Sequence, residues 1–169
     1  PVAFLMTDFS NGSDVILARE AVSSVAELRG KHVGVEVAAL GPFLLARALE
    51  RAGLGLPDVS LVPMDATDMP RAIADGRVDA IVTYPPASTE TLRGSAVRTL
   101  FSSAEIPGEV VDVVVLDASI LERRVPDAKA IVRAWQRSVQ FATDHPAEAY
   151  AIMADREHIS VEEFSDALA

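Results

Sequence analysis

The stretch that most narrows the possible folds runs from Gly30 to Val82. It reads strand, helix, strand, helix, strand, with a turn residue at every boundary. Leu28 closes a short polar turn, Gly30 permits a positive φ, and residues 33–35 (Val-Gly-Val) have the character of a buried strand. Pro42 then opens a helix, since proline at the first helical position gives up a donor that has no partner there. Phe43, Leu45, Ala46, Leu49 and Ala52 recur at helical spacing up to the stop at Gly53. Residues 59–62 form the next strand, Met69 begins a short helix closed by Gly76, and residues 78–82 form a third strand that Tyr84-Pro85-Pro86 ends. Strands alternating with helices in this way imply right-handed crossovers in a parallel sheet with helices on its faces. The junction at residues 33–42 also leaves the backbone donors of a helix start free for an acceptor or an anion.

The flanks extend the pattern. Residues 2–6 and 15–18 read as two strands around the turn formers at 7–14, so they suggest a hairpin or a strand–loop–strand. Ser24 and Glu27 have capping-box spacing over a one-turn helix, as do Ser160 and Glu163 before a final helix at 161–168. Residues 87–93 read as a helix, 97–101 as a strand, 110–116 as a buried strand and 119–123 as a short helix. Pro126 opens a long helix to Thr143, with Ile131, Val132, Trp135, Val139 and Ala142 on one apolar stripe read as core. Asp144-His145-Pro146 breaks it, and residues 147–154 continue as another helix. The chain starts in a strand and ends in a helix, which suggests an internal piece of a longer protein.

Composition removes several function classes. The net charge is −10, from 25 acidic and 15 basic residues with no basic cluster, which argues against nucleic acid and against an anionic membrane surface. There is no cysteine, hence no disulfide, thiolate metal site or cysteine nucleophile. No apolar run approaches the ~20 residues of a membrane span, and no signal peptide is present. The three histidines are scattered, without the i, i+4 spacing of metal ligands, and no Gly-x-Ser-x-Gly elbow occurs. No catalytic, metal or cofactor site is therefore expected.

The candidate ligand residues lie in three places. Ser10, Asn11, Gly12 and Asp14, with Ser13, could present hydroxyls and N–H groups to a ligand, or form a surface turn. Ala38, Ala39, Gly41 and Pro42 could equally line an acceptor site, since ligands sit in crevices outside the carboxyl ends of strands, or form a plain strand–helix loop. Tyr84 could set a ring and a hydroxyl over a ligand. Asp65 reads as a cap and Asp79 as a partner for a nearby turn. The absence of Gly-x-Gly-x-x-Gly and of Gly-Lys-Ser/Thr argues against a dinucleotide or nucleoside triphosphate.

Four stretches, in order, carry a resemblance: residues 9–14 (Phe-Ser-Asn-Gly-Ser-Asp), 25–36, 76–86 (Gly-Arg-Val-Asp-Ala-Ile-Val-Thr-Tyr-Pro-Pro) and 144–149. The chain resembles the substrate-binding proteins of ABC importers for nitrate, taurine, aliphatic sulfonates and thiamine-pyrimidine precursors. The resemblance implies the type II periplasmic binding protein fold, α/β, with one complete lobe (a parallel-rich sheet with flanking helices) and part of the other. It implies that about sixty residues of the first lobe precede Pro1. Residues 1–27 would be partial first lobe and hinge strand, 28–99 the second lobe, and 100–169 the return through the hinge with helices packing on the first lobe.

The implied function is non-catalytic capture of a small polar or anionic organic solute, without a cofactor, for a membrane permease. The implied location is periplasmic or lipoprotein-anchored. A ligand-sensing module of a signalling protein is the alternative on the same fold. Ser10, Asn11, Gly12 and Asp14 would line one side of the cleft and Ala38, Ala39, Gly41 and Tyr84 the other, with N–H groups near Pro42 meeting an acidic head group. Pro85 stands where the family often has an acid, which tells against an amine that needs that carboxylate. The missing cysteine tells against the related pyrimidine synthases. Exposed sheet edges in a truncated lobe would favour pairing between copies.

Overall fold

In the computed structural model, residues 1–168 are described, with side chains through residue 165. The chain divides into two compact units, Ser10–Val110 and Pro1–Phe9 with the chain from Val111 onward.

The Ser10–Val110 unit is a five-stranded mixed sheet. Its strands are β2 (Val15–Arg19), β3 (His32–Val35), β4 (Ser60–Pro63), β5 (Ala80–Thr83) and β6 (Val97–Ser102), in the order β4-β3-β5-β2-β6. β3 runs parallel to both β4 and β5, as the alternation of strand and helix requires. β2 is inserted antiparallel between β5 and β6, with Val15 opposite both Thr83 and Ser102. The unit therefore extends beyond residues 28–99, because β2 is an interior strand of this sheet.

Strand alternation divides the core into two layers. Ile16, Ala18, Val33, Val35, Ala80 and Val82 pack with Leu44, Leu45, Ala48 and Leu49 of helix α1 (Gly41–Arg51) on one face. Val15, Leu17 and Ile81 pack with Met69, Ala72 and Ile73 of helix α2 (Met69–Ala74) on the other. Helix α3 (Ala87–Gly94) packs against α2. The chain thus leaves β3 towards one face and β5 towards the other, the arrangement that opens a crevice at the carboxyl ends of an α/β sheet.

Several local features follow from side-chain hydrogen bonds. Asp79 accepts from the His32 N–H at 2.9 Å and so ties β5 to the start of β3. The turn at Val25–Leu28 is capped by Glu27 accepting from Ser23 N–H and hydroxyl, so the cap partner is Ser23, not Ser24. Asp65 makes no side-chain cap; its backbone carbonyl accepts from Asp68 N–H instead. The Ser10 N–H donates to Val110 O at 3.0 Å, which holds the first and last residues of the unit together.

In the second unit, strand β1 (Val2–Phe9) pairs antiparallel with β7 (Val111–Leu116). Of the two readings of residues 2–18, the strand–loop–strand is found and the hairpin is not, since β1 pairs with β7 while β2 pairs with β5 and β6. Helices α4 (Ala118–Arg123), α5 (Val125–Asp144), α6 (Pro146–Glu157) and α7 (Val161–Leu168) follow. The Ser160–Glu163 capping box is formed at the start of α7. The expected burial of β7 and of the α5 stripe is not found. Val113 and Val115 are exposed, as are Ile131, Trp135 and Val139. A two-stranded ladder has too little surface to enclose such side chains.

Candidate functional site

Four chain segments meet at one end of the five-stranded sheet. β3 and β5 deliver their carboxyl ends, Glu36 and Thr83-Tyr84, side by side. Because β2 runs the other way, its entry residue Asp14 arrives at the same end, and β6 brings Ser102 and Ser103 there. A small, open cleft lies between them, lined by Asp14, Glu36, Ala39, Leu40, Gly41, Leu44, Val82, Thr83 and Tyr84.

Hydrogen bonds fix the entry loop. Ser103, fully buried, donates its N–H to Asp14 O at 2.9 Å, and its hydroxyl accepts from Gly12 N–H at 2.7 Å. The Ser10 hydroxyl lies 3.0 Å from the Ser103 hydroxyl and donates to the Asp14 carboxylate. Gly12 has φ +110°, a conformation that side chains rarely adopt, so the loop needs a glycine there.

The opposite wall is the start of α1. Ala39 N–H donates to Glu36 O, and Phe43 and Leu44 N–H both donate to Leu40 O. The Leu40 and Gly41 N–H groups therefore take no backbone acceptor among the described residues. Gly41 also sits against β3, where an added Cβ would meet Val35 Cγ2 at 2.6 Å.

Tyr84 closes the floor. Its hydroxyl donates to Glu36 Oε2 at 3.2 Å, and the residue stays 40% exposed. Partial burial, then the charge and hydrogen bond of Glu36, then the charge of Asp14 hold its hydroxyl above the usual tyrosine range, so it remains a donor. Thr83 is only 2% exposed, and its hydroxyl has no hydrogen-bond partner among the described residues.

Of the residues singled out from sequence, Asp14, Ala39, Gly41 and Tyr84 line this cleft. Ser10 and Gly12 brace it through Ser103, Asn11 and Ala38 are exposed nearby in sequence, and Pro42 sits in the first turn of α1. All nine belong to the same compact unit, so the two groups meet at one sheet end instead of facing each other from two lobes. Glu36, Thr83 and Ser103 carry no periodic signal and were not singled out. Position immediately after a strand is the one clue that applies to Glu36 and Ser103. Among the described residues no group of three or more His, Cys, Asp or Glu could hold a metal ion, and no helix is long and apolar enough to cross a membrane.

Known proteins share this architecture. The structure superposes on the periplasmic aliphatic sulphonate binding protein SsuA from Escherichia coli with a TM-score of 0.87 at 20% identity, over 98% of this chain and 58% of that one. The desulfurization enzyme DSZB matches with a TM-score of 0.69 at 18% identity, over 98% of this chain and 63% of that one, so the fold also hosts catalysis. At these identities the likeness establishes the fold, that of type II periplasmic binding proteins. In sequence, a protein of Brucella abortus (strain 2308) described as a candidate binding protein is 30% identical over 146 residues, 84% of this chain and 46% of the relative. The chain thus spans about half the length of the curated relatives it matches. The model of the family described as NMT1/THI5 like matches residues 4–149, and the chain belongs to that family.

Proposed function

We propose that the protein captures a small polar organic solute without catalysis, as the solute-binding component of an ABC-type importer that hands its ligand to a membrane permease. A periplasmic or lipoprotein-anchored location goes with that role. One observation carries the reading: Asp14, Glu36, Gly41 and Tyr84 converge on a cleft at the switch point of the sheet. That is where open α/β folds take ligands. The free Leu40 and Gly41 N–H groups suit an acceptor atom of the solute. Sulfonates, nitrate and pyrimidine-like solutes are the classes to try first. The sulphonate binding of the Escherichia coli neighbour supports the first of these.

Binding without turnover is favoured by the chemistry of the loop. The Ser10 hydroxyl has a carboxylate and a second serine as partners, not an imidazole that could take its proton. Thermal shift and calorimetry with a solute panel, followed by mass spectrometry of the recovered ligand, test the reading. Stabilisation with the ligand returned intact supports it, and at a hundredfold excess over Kd the gain is about 2.7 kcal/mol. A chemically altered ligand, or no stabilisation by any solute, refutes it.

A further inference from the structure

We propose that the cleft of the Ser10–Val110 unit takes the cationic end of an organic solute, a protonated amine or an amidinium. Glu36 and Asp14 serve as its counter-charges and the Tyr84 ring lies beside it. The proposal rests on the solute-capture reading and narrows its ligand class.

Asp14 and Glu36 both line the cleft, and its lining holds no Lys, Arg or His. Elsewhere on the surface some carboxylates have a cationic partner: Asp58 with Arg29, Glu50 and Glu109 with Arg47, Asp127 with Arg124. Asp14 and Glu36 have no ion-pair partner among the described residues. Each receives one side-chain hydrogen bond, from Ser10 and from Tyr84, which leaves most of their acceptor sites open. A donor-rich cation satisfies those sites and leaves the Leu40 and Gly41 N–H groups of the other wall for an acceptor elsewhere on the same solute, whereas a sulfonate would bring a third negative charge beside the two carboxylates.

Two further observations agree. Burial first, and then Glu36 and Asp14, push the Tyr84 hydroxyl above its usual range, so both carboxylates lie close enough to act on it. Thr83, at the cavity wall, keeps a buried hydroxyl without a partner, a rare condition for a buried polar group. A half-exposed tyrosine beside two carboxylates suits an organic cation, through the quadrupole of its ring.

The test is isothermal calorimetry on the full-length protein and on its Glu36→Gln variant. Four probes of similar shape are compared at matched concentration: benzylamine, benzamidine, benzyl alcohol and benzenesulfonate. The expected result is that the two cations bind more tightly than the alcohol, and that the sulfonate does not bind. Glu36→Gln keeps the acceptor for Tyr84 and should weaken the cations about tenfold to a hundredfold, with the alcohol unchanged. Asp14→Asn gives an independent loss of the same sign. Benzenesulfonate binding as tightly as benzylamine, or cation binding unaffected by both variants, overturns the charge assignment but leaves solute capture standing. No binding by any probe or by any solute of the wider panel overturns both.

Discussion

The two compact units use similar elements and treat their apolar side chains in opposite ways. In the Ser10–Val110 unit, five strands give a sheet with two faces, and each face is covered by a helix whose Leu, Met or Ile residues are almost fully buried. In the other unit the buried apolar residues among those described are three alanines, Ala128, Ala149 and Ala154, while Trp135, Val139 and Val115 remain exposed. Propensity and patterning are comparable in the two. What differs is whether this chain, which spans about half the length of its curated relatives, supplies a second layer for each apolar face. The cleft lies in the unit that has both layers.

The largest expected effect tests that contrast directly. Leu45→Ala should destabilise the protein by about 2–5 kcal/mol, because Leu45 is fully buried between α1 and the sheet. Val139→Ala on exposed α5 should change stability by no more than about 0.5 kcal/mol. Urea unfolding of both variants decides; equal losses would erase the distinction between the units.

Next, Gly41→Ala forces a Cβ against buried Val35 at the entrance to α1 and should cost about 1–3 kcal/mol. A melting temperature equal to that of the parent would show that the α1 entrance is loose. Tyr84→Phe removes the hydroxyl bond to Glu36 but keeps the ring, so its effect on stability should be about 1 kcal/mol or less.

The smallest effect is in pH. Hydrogen bonds from the Ser119 hydroxyl and N–H hold Asp117 below its ordinary value, and those from Ser23 N–H and hydroxyl do the same for Glu27. A carboxylate with a depressed folded-state pKa stabilises above its unfolded value and loses that contribution as pH falls through the folded one. Both groups are exposed, so Asp117→Asn and Glu27→Gln should each flatten the acid limb of the stability curve only slightly. A flattening that dominates the acid transition would mean that the exposed caps matter more than the core. The exposed valines of β7 give a further check. Light scattering should show self-association that weakens when Val113 and Val115 become Thr, and a clean monomer would mean that these side chains are covered in solution.

What the sequence discloses depends on range. The segment from Gly30 to Val82 is legible because its turns, caps and alternation are local, and β3, β4 and β5 are parallel as expected. The place of β2 is not legible, because pairing with β5 and β6 spans most of the unit and leaves no mark within Val15–Arg19. For the same reason Ser103 escapes notice: its partners Ser10, Gly12 and Asp14 are about ninety residues away. Residues 110–116 mislead in the other direction, since a run of valines announces a buried strand whether or not anything covers it. Glu36 looks like an ordinary loop acid until Tyr84 is set beside it.

The hydrogen bond between Ser10 N–H and Val110 O brings the two ends of one unit within a single bond of each other. Such a unit is a cassette: its entry and exit form one doorway, not two. Residues 10–110 could be lifted out and spliced into another host, or reopened elsewhere by circular permutation, without stretching the backbone. For the cleft, this means that its geometry travels with the cassette, whatever chain carries it.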